Sequence, residues 1–403
     1  MSGGSRRRSC GARDKTGNHL GGRHGSGTKR NATAARSRNG NRGAGSQVFG
    51  ALDLGTNNCR LLVAKPAPNG YRVVDTFSRV VRLGEGLSQS DCLSDVAMER
   101  TLRALKICAG KMHRLGVTKA RCVATEACRR ASNYADFCAQ VEAEFGLKLE
   151  LISSLEETRL AVYGCAPLFD PKVETALVFD IGGGSTEVCW VGLPGYSQPF
   201  QSLCGSQGAV PLNGTKADGG TPDSWENEPS GRDSAPDQPT LLAWKSLPMG
   251  VTNLAERYGG ADISESCYER MVLDVLEALA PFENENGIFD SVQGRRVQML
   301  GTSGTVTTLV GIKKDLARYD RRHVDGAYLS REAIEGLNRR VARMTYDERA
   351  AHPCIGHQRA DLVVAGCAIL DALCRTWPVE RLRVADRGLR EGIIFTLMRG
   401  IAT

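Results

Sequence analysis

Residues 178–187, VFDIGGGSTE, contain the pattern that decides the fold. An apolar run ends in Asp180, three glycines follow, and Ser185, Thr186 and Glu187 come next. Glycine lets backbone N–H groups approach an anion without a Cβ in the way, and a tight turn can point several of them inward. The stretch therefore predicts a strand over 175–180, a phosphate-binding turn, and a second strand over 186–191. A hairpin that serves packing alone is the alternative.

The same pattern occurs earlier in the chain. GALDLGTNNCRLLV (50–63) matches LVFDIGGGSTEVCW (177–190), each with an apolar run, Asp, an apolar residue, Gly, small polar residues and another apolar run. A third glycine turn, at 301–305, precedes a predicted helix. Two copies predict a duplicated fold. The predicted phosphate-binding residues in the three turns are Asp53, Gly55, Thr56, Asn57, Gly182, Gly183, Gly184, Ser185, Thr186, Gly301, Thr302, Ser303 and Gly304.

The two strand-ending acids, Asp53 and Asp180, suit a hard cation. Mg²⁺ prefers oxygen ligands and usually takes one or two carboxylates, with water and phosphate oxygens completing its shell. We therefore expect Mg²⁺ as the cofactor, which Asp53 and Asp180 can hold directly or through water. The predicted metal ligands are Asp180 and Glu156.

Composition separates a basic tail from a mildly acidic folded part. The 403 residues carry a net charge of +7, but residues 1–46 contain eleven Lys or Arg and one Asp, which leaves −3 for the remainder. This tail has almost no large apolar side chains, so we expect it to be disordered. No apolar run of transmembrane length occurs, and the fourteen cysteines form no CxxC pair. These features predict a cytoplasmic protein with reduced thiols and no membrane contact.

Between the tail and the C-terminus, strand and helix patterns alternate. Residues 194–243 are rich in Gly, Ser, Pro, Asp and Asn, which predicts a flexible insertion. The C-terminal part is mostly helical, with a short strand at 382–385. The other predicted strands lie at 48–54, 59–64, 71–81, 121–125, 149–152 and 297–300, and the helices at 95–115, 134–145 and from 156 onward.

Nine blocks in order resemble one known family, the exopolyphosphatase and guanosine pentaphosphate phosphohydrolase (Ppx/GppA) family. The resemblance covers about residues 47–403 without the insertion. The blocks are LDLGTNNCRLLV (52–63), RLGEGL (82–87), ATEACRRASN (124–133), SSLEETRLAV (153–162), FDIGGGSTEV (179–188), LPMGVTNLAERY (247–258), LGTSGTVTTL (300–309), QRADLVVAG (358–366) and GLREG (388–392).

The resemblance implies an α/β fold of two duplicated ribonuclease-H-like domains with a cleft between them, as in the actin, Hsp70 and sugar-kinase superfold. Domain I would comprise residues 47–125 plus about 388–403. Domain II would comprise residues 126–387 and contain the insertion.

The resemblance also implies the roles of the charged residues. Glu126 would be the catalytic base, and Glu156 a second catalytic acid near the metal, although Glu157 and Glu187 compete for that role. Arg60 and Arg100 match arginines near the phosphate. Arg129 and Arg130 beside Glu126 could bind phosphate or balance nearby acids.

Four functions fit these residues. The first is a Mg²⁺-dependent exopolyphosphatase that removes the terminal phosphate of inorganic polyphosphate. The alternatives are a guanosine pentaphosphate 5′-phosphohydrolase, a sugar kinase on the same superfold, and a non-catalytic regulator that binds polyphosphate or guanosine tetra- or pentaphosphate. Glu126 argues for hydrolysis, since a pure binder needs no acid to orient water. Nucleic acid could be a partner only through the basic tail. A homodimer is the one oligomeric assembly that we consider.

Overall fold

The computed structural model describes residues 47–68, 70–194, 210–211 and 239–400. The predicted basic tail and most of the predicted insertion lie outside these residues. The strands are β1 (Phe49–Leu54), β2 (Asn58–Ala67), β3 (Gly70–Val80), β4 (Lys119–Ala124), β5 (Leu149–Leu151), β6 (Thr175–Ile181), β7 (Thr186–Gly192), β8 (Val210–Pro211), β9 (Thr240–Leu247), β10 (Val297–Thr302), β11 (Tyr328–Ser330) and β12 (Arg381–Ala385).

Helices cover the faces of the sheets. They are α1 (Leu87–Ser90), α2 (Asp95–Arg114), α3 (Glu126–Arg130), α4 (Tyr134–Phe145), α5 (Ser154–Cys165), a 3₁₀ turn (Ala166–Leu168), α6 (Val251–Tyr258), α7 (Glu265–Asn286), α8 (Ile288–Gln293), α9 (Gly304–Lys313), α10 (Arg321–Val324), α11 (Arg331–Arg343), α12 (Tyr346–Ala351), α13 (Val363–Thr376) and α14 (Leu389–Arg399).

The first sheet has the strand order β3-β2-β1-β4-β5. β1, β2 and β3 are antiparallel neighbours, whereas β4 and β5 run parallel to β1. Side chains alternate across β1, so Leu52 and Leu54 pack on one face with α2 and α4. Phe49 and Ala51 pack on the opposite face with α5 and α14. Both faces are covered, which explains why β1 is an almost continuous apolar run.

The second sheet repeats this order. β6, β7 and β9 are antiparallel neighbours, whereas β10 and β12 run parallel to β6 on its other side. The short strands β8 and β11 are added at the two edges. The strand order is therefore the same in both halves. The protein has the duplicated ribonuclease-H-like fold of the actin, Hsp70 and sugar-kinase superfold, as the repeated turns predicted.

Two predicted boundaries differ from the structure. β5 pairs in parallel with β4, so the first sheet continues to Leu151, beyond the boundary predicted after residue 125. β9 begins at Thr240, so the end of the predicted insertion at 243 is too late. The strand at 149–152 was predicted, but only its pairing with β4 shows which sheet it joins. The first residues of β9 follow a polar segment, and their pairing with β7 shows that they belong to the strand.

A close crossing of α5 and α14 connects the last helix to the first sheet. A Cβ atom on Gly392 would lie 1.9 Å from the carbonyl oxygen of Leu160, and one on Gly164 would lie 2.0 Å from that of Gly388. Only glycine fits at these two positions, because each backbone lies against the other. The crossing holds residues 388–391 at the end of the first sheet.

None of the described helices is both long and apolar enough to cross a membrane. Of the twelve cysteines in the described part of the chain, all are free thiols, and ten of them are buried. Burial raises the pKa of Cys122 and Cys128 to about 12, so these thiols pack as small apolar side chains.

Candidate active site

A cleft of about 950 Å³ lies between the two sheets. The turns after β1, β6 and β10 all open into it, because corresponding strands of the two repeats end at the same place. The predicted residues that line it are Asp53, Gly55, Thr56, Asn57, Arg60, Glu126, Asp180, Gly182, Gly183, Gly184, Ser185, Thr302, Ser303 and Gly304.

Helix α6 orients the glycine turn after β6. The N–H groups of Val251 and Thr252 donate to the carbonyls of Gly182 (3.0 Å) and Gly183 (2.8 Å). The side-chain amide of Asn253 donates to the carbonyl of Gly184 at 2.9 Å. In a trans peptide the N–H points opposite to the C=O. The N–H groups that follow these three carbonyls therefore point away from α6, which makes an anion-binding nest.

The turn after β1 forms the facing wall. A Cβ atom on Gly184 would lie 2.8 Å from Thr56 Oγ1 and 3.1 Å from Glu126 Cγ, so the two walls meet at this glycine. Thr56 and Asn57 are each 7% exposed. Thr56 Oγ1, Asn57 Oδ1 and Ser303 Oγ are buried without a hydrogen-bond partner in the described structure. Buried polar atoms are normally paired, so these oxygens indicate a polar ligand.

The third turn brings positive charge to the cleft. Ser303, just before α9, has φ 96°, a strained value for a residue with a Cβ. Arg359 lies over the start of α9, and a Cβ atom on Gly304 would be 3.8 Å from its Nη1. Burial and the neighbouring Arg60 lower the pKa of Arg359. No ion pair joins either arginine to an acid of the described residues, so both remain available for an anion.

Glu126 stands at the start of α3, beside the nest. Its Oε2 accepts from Nε (3.1 Å) and Nη2 (2.8 Å) of Arg129, whose Nη1 donates to Glu157 Oε2 at 2.8 Å. Among the described residues none donates a hydrogen bond to Glu126 Oε1. Arg129 therefore balances two acids and fixes the carboxylate of Glu126, with one oxygen left for a ligand in the cleft.

Five further acids that line the cleft have a raised pKa. Burial is the main cause for Asp53, Glu157, Asp180, Glu187 and Asp386. Asp180 reaches about 6 although Arg60 lowers its pKa, and the charge of Asp53 raises it further. Glu187 reaches about 7 even though Ser185 donates a hydrogen bond to it at 2.6 Å. Burial and the neighbouring acids both disfavour the charged carboxylates, and a bound cation would stabilise these charges.

The acids fit Mg²⁺ but not a metal held by protein ligands alone. In the part of the chain that the structure describes, no three His, Cys, Asp or Glu side chains form a metal-binding group. Mg²⁺ usually keeps several waters and takes one or two carboxylates plus phosphate oxygens. Asp180 and Asp53, at equivalent strand ends, match that requirement.

Four predicted site residues lie outside the cleft lining. Glu156 accepts from Arg121 Nη1 at 3.0 Å and does not line the cleft, which Glu157 does. Arg100 donates to the backbone of Val81 and Arg82 and so supports a loop. Thr186 Oγ1 donates to the carbonyl of Met249 at 2.7 Å. Gly301 leaves room for the ring of Phe179. Each of these residues contacts another part of the chain in the described structure, and their direct roles in the site stay predictions.

Sequence analysis assigned none of four further arginines that line the cleft, Arg321, Arg359, Arg387 and Arg390, to phosphate binding. Arg321 and Arg387 pair with Glu391 and Asp325. Arg359 lies in the QRADLVVAG block, and Arg390, in GLREG, lowers the pKa of Asp53 through its charge. Both blocks were visible in the sequence, but nothing local distinguished these arginines from surface charges.

The fold defines a two-domain α/β protein of the actin-like superfold, with a candidate anion-binding cleft. The family model for the Ppx/GppA phosphatase family matches residues 62–213 and 237–400. The chain therefore belongs to the Ppx/GppA phosphatase family.

Solved structures agree with this family and fold. The Ppx/GppA family member of Aquifex aeolicus is 23% identical over 89% of this chain and 99% of its own, with a TM-score of 0.63. An exopolyphosphatase from Cytophaga hutchinsonii is 22% identical over 89% of this chain and 100% of its own, with a TM-score of 0.70. An exopolyphosphatase-like protein is 25% identical over 89% of this chain and 99% of its own, also with a TM-score of 0.70.

The raised pKa values of Asp180 and Glu187 predict how the stability of the metal-free protein changes with pH. The pKa of Glu187 rises from 4.5 to about 7 and that of Asp180 from 3.8 to about 6. The folded state therefore binds these protons more tightly, and their stabilising contribution is lost as pH rises through the two raised values. Thermal unfolding in a chelator should show Glu187→Gln gaining stability relative to wild type between about pH 5 and pH 8. A difference between the two proteins that stays constant with pH would contradict the shift of Glu187.

Proposed function

We propose that the protein is an exopolyphosphatase that hydrolyses the terminal phosphoanhydride of inorganic polyphosphate with Mg²⁺. The observation that carries the proposal is the position of Glu126. Its side chain adjoins the nest at Gly184, and Arg60 and Arg359 lie in the same cleft without an ion pair among the described residues. A water-orienting acid, backbone donors and free positive charge are what phosphoanhydride hydrolysis requires.

In the proposed reaction the terminal phosphate binds to the nest. The N–H groups of the glycine turn and the hydroxyls of Thr56 and Ser303 would donate to its oxygens. Arg60 and Arg359 would contact the phosphates that follow, since arginine suits bidentate phosphate contact. Mg²⁺ held by Asp180 and Asp53 would supply positive charge to the phosphate oxygens.

Glu126 then acts on the water. The water oxygen forms a bond to the terminal phosphorus while the bond from that phosphorus to the bridging oxygen breaks. The water proton passes to Glu126 Oε1, the oxygen that Arg129 leaves free. The products are orthophosphate and a polyphosphate chain shorter by one unit.

Guanosine pentaphosphate is the second candidate substrate. The cleft includes the aromatic side chains of Phe77 and Tyr319. Aromatic rings provide faces on which a nucleobase can stack. The same nest and Glu126 would then remove the 5′-terminal phosphate of the nucleotide.

The proposal is tested by measuring phosphate release with Mg²⁺ from long-chain polyphosphate and from guanosine pentaphosphate side by side. Glu126→Ala is the blank. We expect the larger kcat/KM with polyphosphate. A larger value with the nucleotide would assign the protein to the second candidate. Binding of polyphosphate without release, equal in wild type and Glu126→Ala, would indicate a regulator and overturn both.

A further inference from the structure

A second, much smaller cavity lies behind the catalytic wall of the cleft. Three residues, Thr56, Glu126 and Gly184, line both this cavity and the cleft. They therefore form a partition one residue thick between the two spaces. The far wall consists of Gly84, Leu87 and the first turn of α6, where Thr252 and Asn253 lie.

The cavity has the size and polarity of a site for one water molecule. It offers about 10 Å³ to the centre of a water, close to what a single buried water needs. Thr252 is 7% exposed, and its Oγ1 has no hydrogen-bond partner in the described structure. The Oγ1 of Thr56, in the partition, is unpartnered as well. Together with the carboxylate of Glu126, these hydroxyls provide the two to four polar partners that hold a buried water.

The outer end of the cavity reaches the surface beside a contact between the two halves of the fold. Glu256 of α6 accepts from the N–H of Gly86 at 3.2 Å and from Ser88 Oγ at 2.9 Å. Ser88, Arg130 and Glu256 are exposed and line the cavity. Water can therefore exchange at this end without passing through the cleft.

We infer that this small cavity holds one ordered water that links the hydroxyl of Thr252 to the carboxylate of Glu126, and that Thr252 is a positioning residue that acts on the base through this water. The inference rests on the proposed function. The water enters beside Glu256, donates to Glu126 and accepts from or donates to Thr252 Oγ1. Thr252 touches neither the phosphate nor the reacting phosphorus, so its contribution is to kcat and not to substrate binding.

Thr252→Val tests this assignment. Valine has nearly the shape of threonine, and the backbone N–H of residue 252 that donates to Gly183 is retained. We expect kcat for polyphosphate to fall about tenfold, the value of one positioning hydrogen bond, with KM unchanged within about twofold. Thr252→Ser keeps the hydroxyl and should restore kcat to near the wild-type value.

Thr175→Val is the matched control. Thr175 is 3% exposed, and its hydroxyl is likewise unpartnered, but it lies at the start of β6 and lines neither cavity. We expect wild-type kcat and KM for this variant. Calorimetric binding of orthophosphate to each variant reports whether the nest is intact.

The outcomes separate the inference from the proposed function. Wild-type kcat in Thr252→Val, or an equal loss in Thr252→Ser, would overturn the role of the hydroxyl while the proposed function stands. A rise of KM with unchanged kcat would also overturn it, because the residue would then act in binding. If the wild type binds orthophosphate but releases none from either substrate, the proposed function fails and the inference falls with it.

Discussion

Glu126→Gln is expected to lower kcat for polyphosphate by a hundredfold to ten-thousandfold, the usual contribution of a general base. Glutamine keeps the size of the side chain but cannot take the proton from water. Orthophosphate should bind about as well as to wild type, because the nest formed by the N–H groups of residues 183–185 and the arginines Arg60 and Arg359 are unchanged. Initial rates and calorimetric phosphate binding on the same preparations measure the two effects.

Glu156→Gln is the matched control for this prediction. Glu156 directly precedes Glu157, which lines the cleft. Glu156 itself pairs with Arg121 and does not line the cleft. Removing one partly exposed ion pair should cost about 1 kcal/mol or less of unfolding free energy and change kcat by less than about threefold. Equal losses of kcat in the Glu126 and Glu156 variants would contradict the assignment of the base to Glu126.

Gly392→Ala is expected to destabilise the fold by about 3 kcal/mol, at the upper end for an overpacked site. The new Cβ would lie 1.9 Å from the carbonyl oxygen of Leu160, so α14 must move away from α5. That movement would also shift Arg390 and Glu391, which line the cleft. Urea unfolding gives the change in free energy, and kcat/KM on polyphosphate reports the shift of the cleft residues.

Gly336→Ala is also a glycine-to-alanine substitution, but we expect it to raise the stability of the protein instead of lowering it. Gly336 is an exposed position inside α11, and a Cβ there meets nothing within 4 Å. Alanine should stabilise the protein by about 0.5–1 kcal/mol, since glycine is the poorer helix former. If Gly392→Ala unfolded within about 0.5 kcal/mol of wild type, the close crossing of α5 and α14 would not be a packing constraint.

The two neighbouring glutamates of α5 illustrate where sequence reasoning stopped. In SSLEETRL both are plausible acids, but successive residues on a helix point about 100° apart. The packing of Leu160 against the first sheet sets the rotation of α5, and that rotation turns Glu157 toward Arg129 and the cleft. Glu156 is thereby turned toward Arg121. No local pattern contains this information.

The arginines show that local sequence patterns also fail to predict contacts between residues far apart in the chain. Arg60 was predicted from the family resemblance, and it follows a recognisable turn. Arg359 comes from a segment almost 300 residues later and approaches Arg60 only when α9 and α13 pack on the second sheet. Arg100, in contrast, belongs to a helix that was predicted over 95–115, yet its side chain supports the loop at Val81.

The sequence by itself determined the two strand–turn–strand units, the glycine turns after β1, β6 and β10, and the family. These features are local, because a turn needs only its own glycines and the apolar alternation of its two strands. Only the tertiary structure decided which acids face the cleft, and that α6 turns the N–H groups of Gly183, Gly184 and Ser185 away from itself. It also placed Thr56, Glu126, Gly184 and Thr252 around one small cavity. Such arrangements join segments far apart in the chain, and the packing of helices on both sheets sets their geometry.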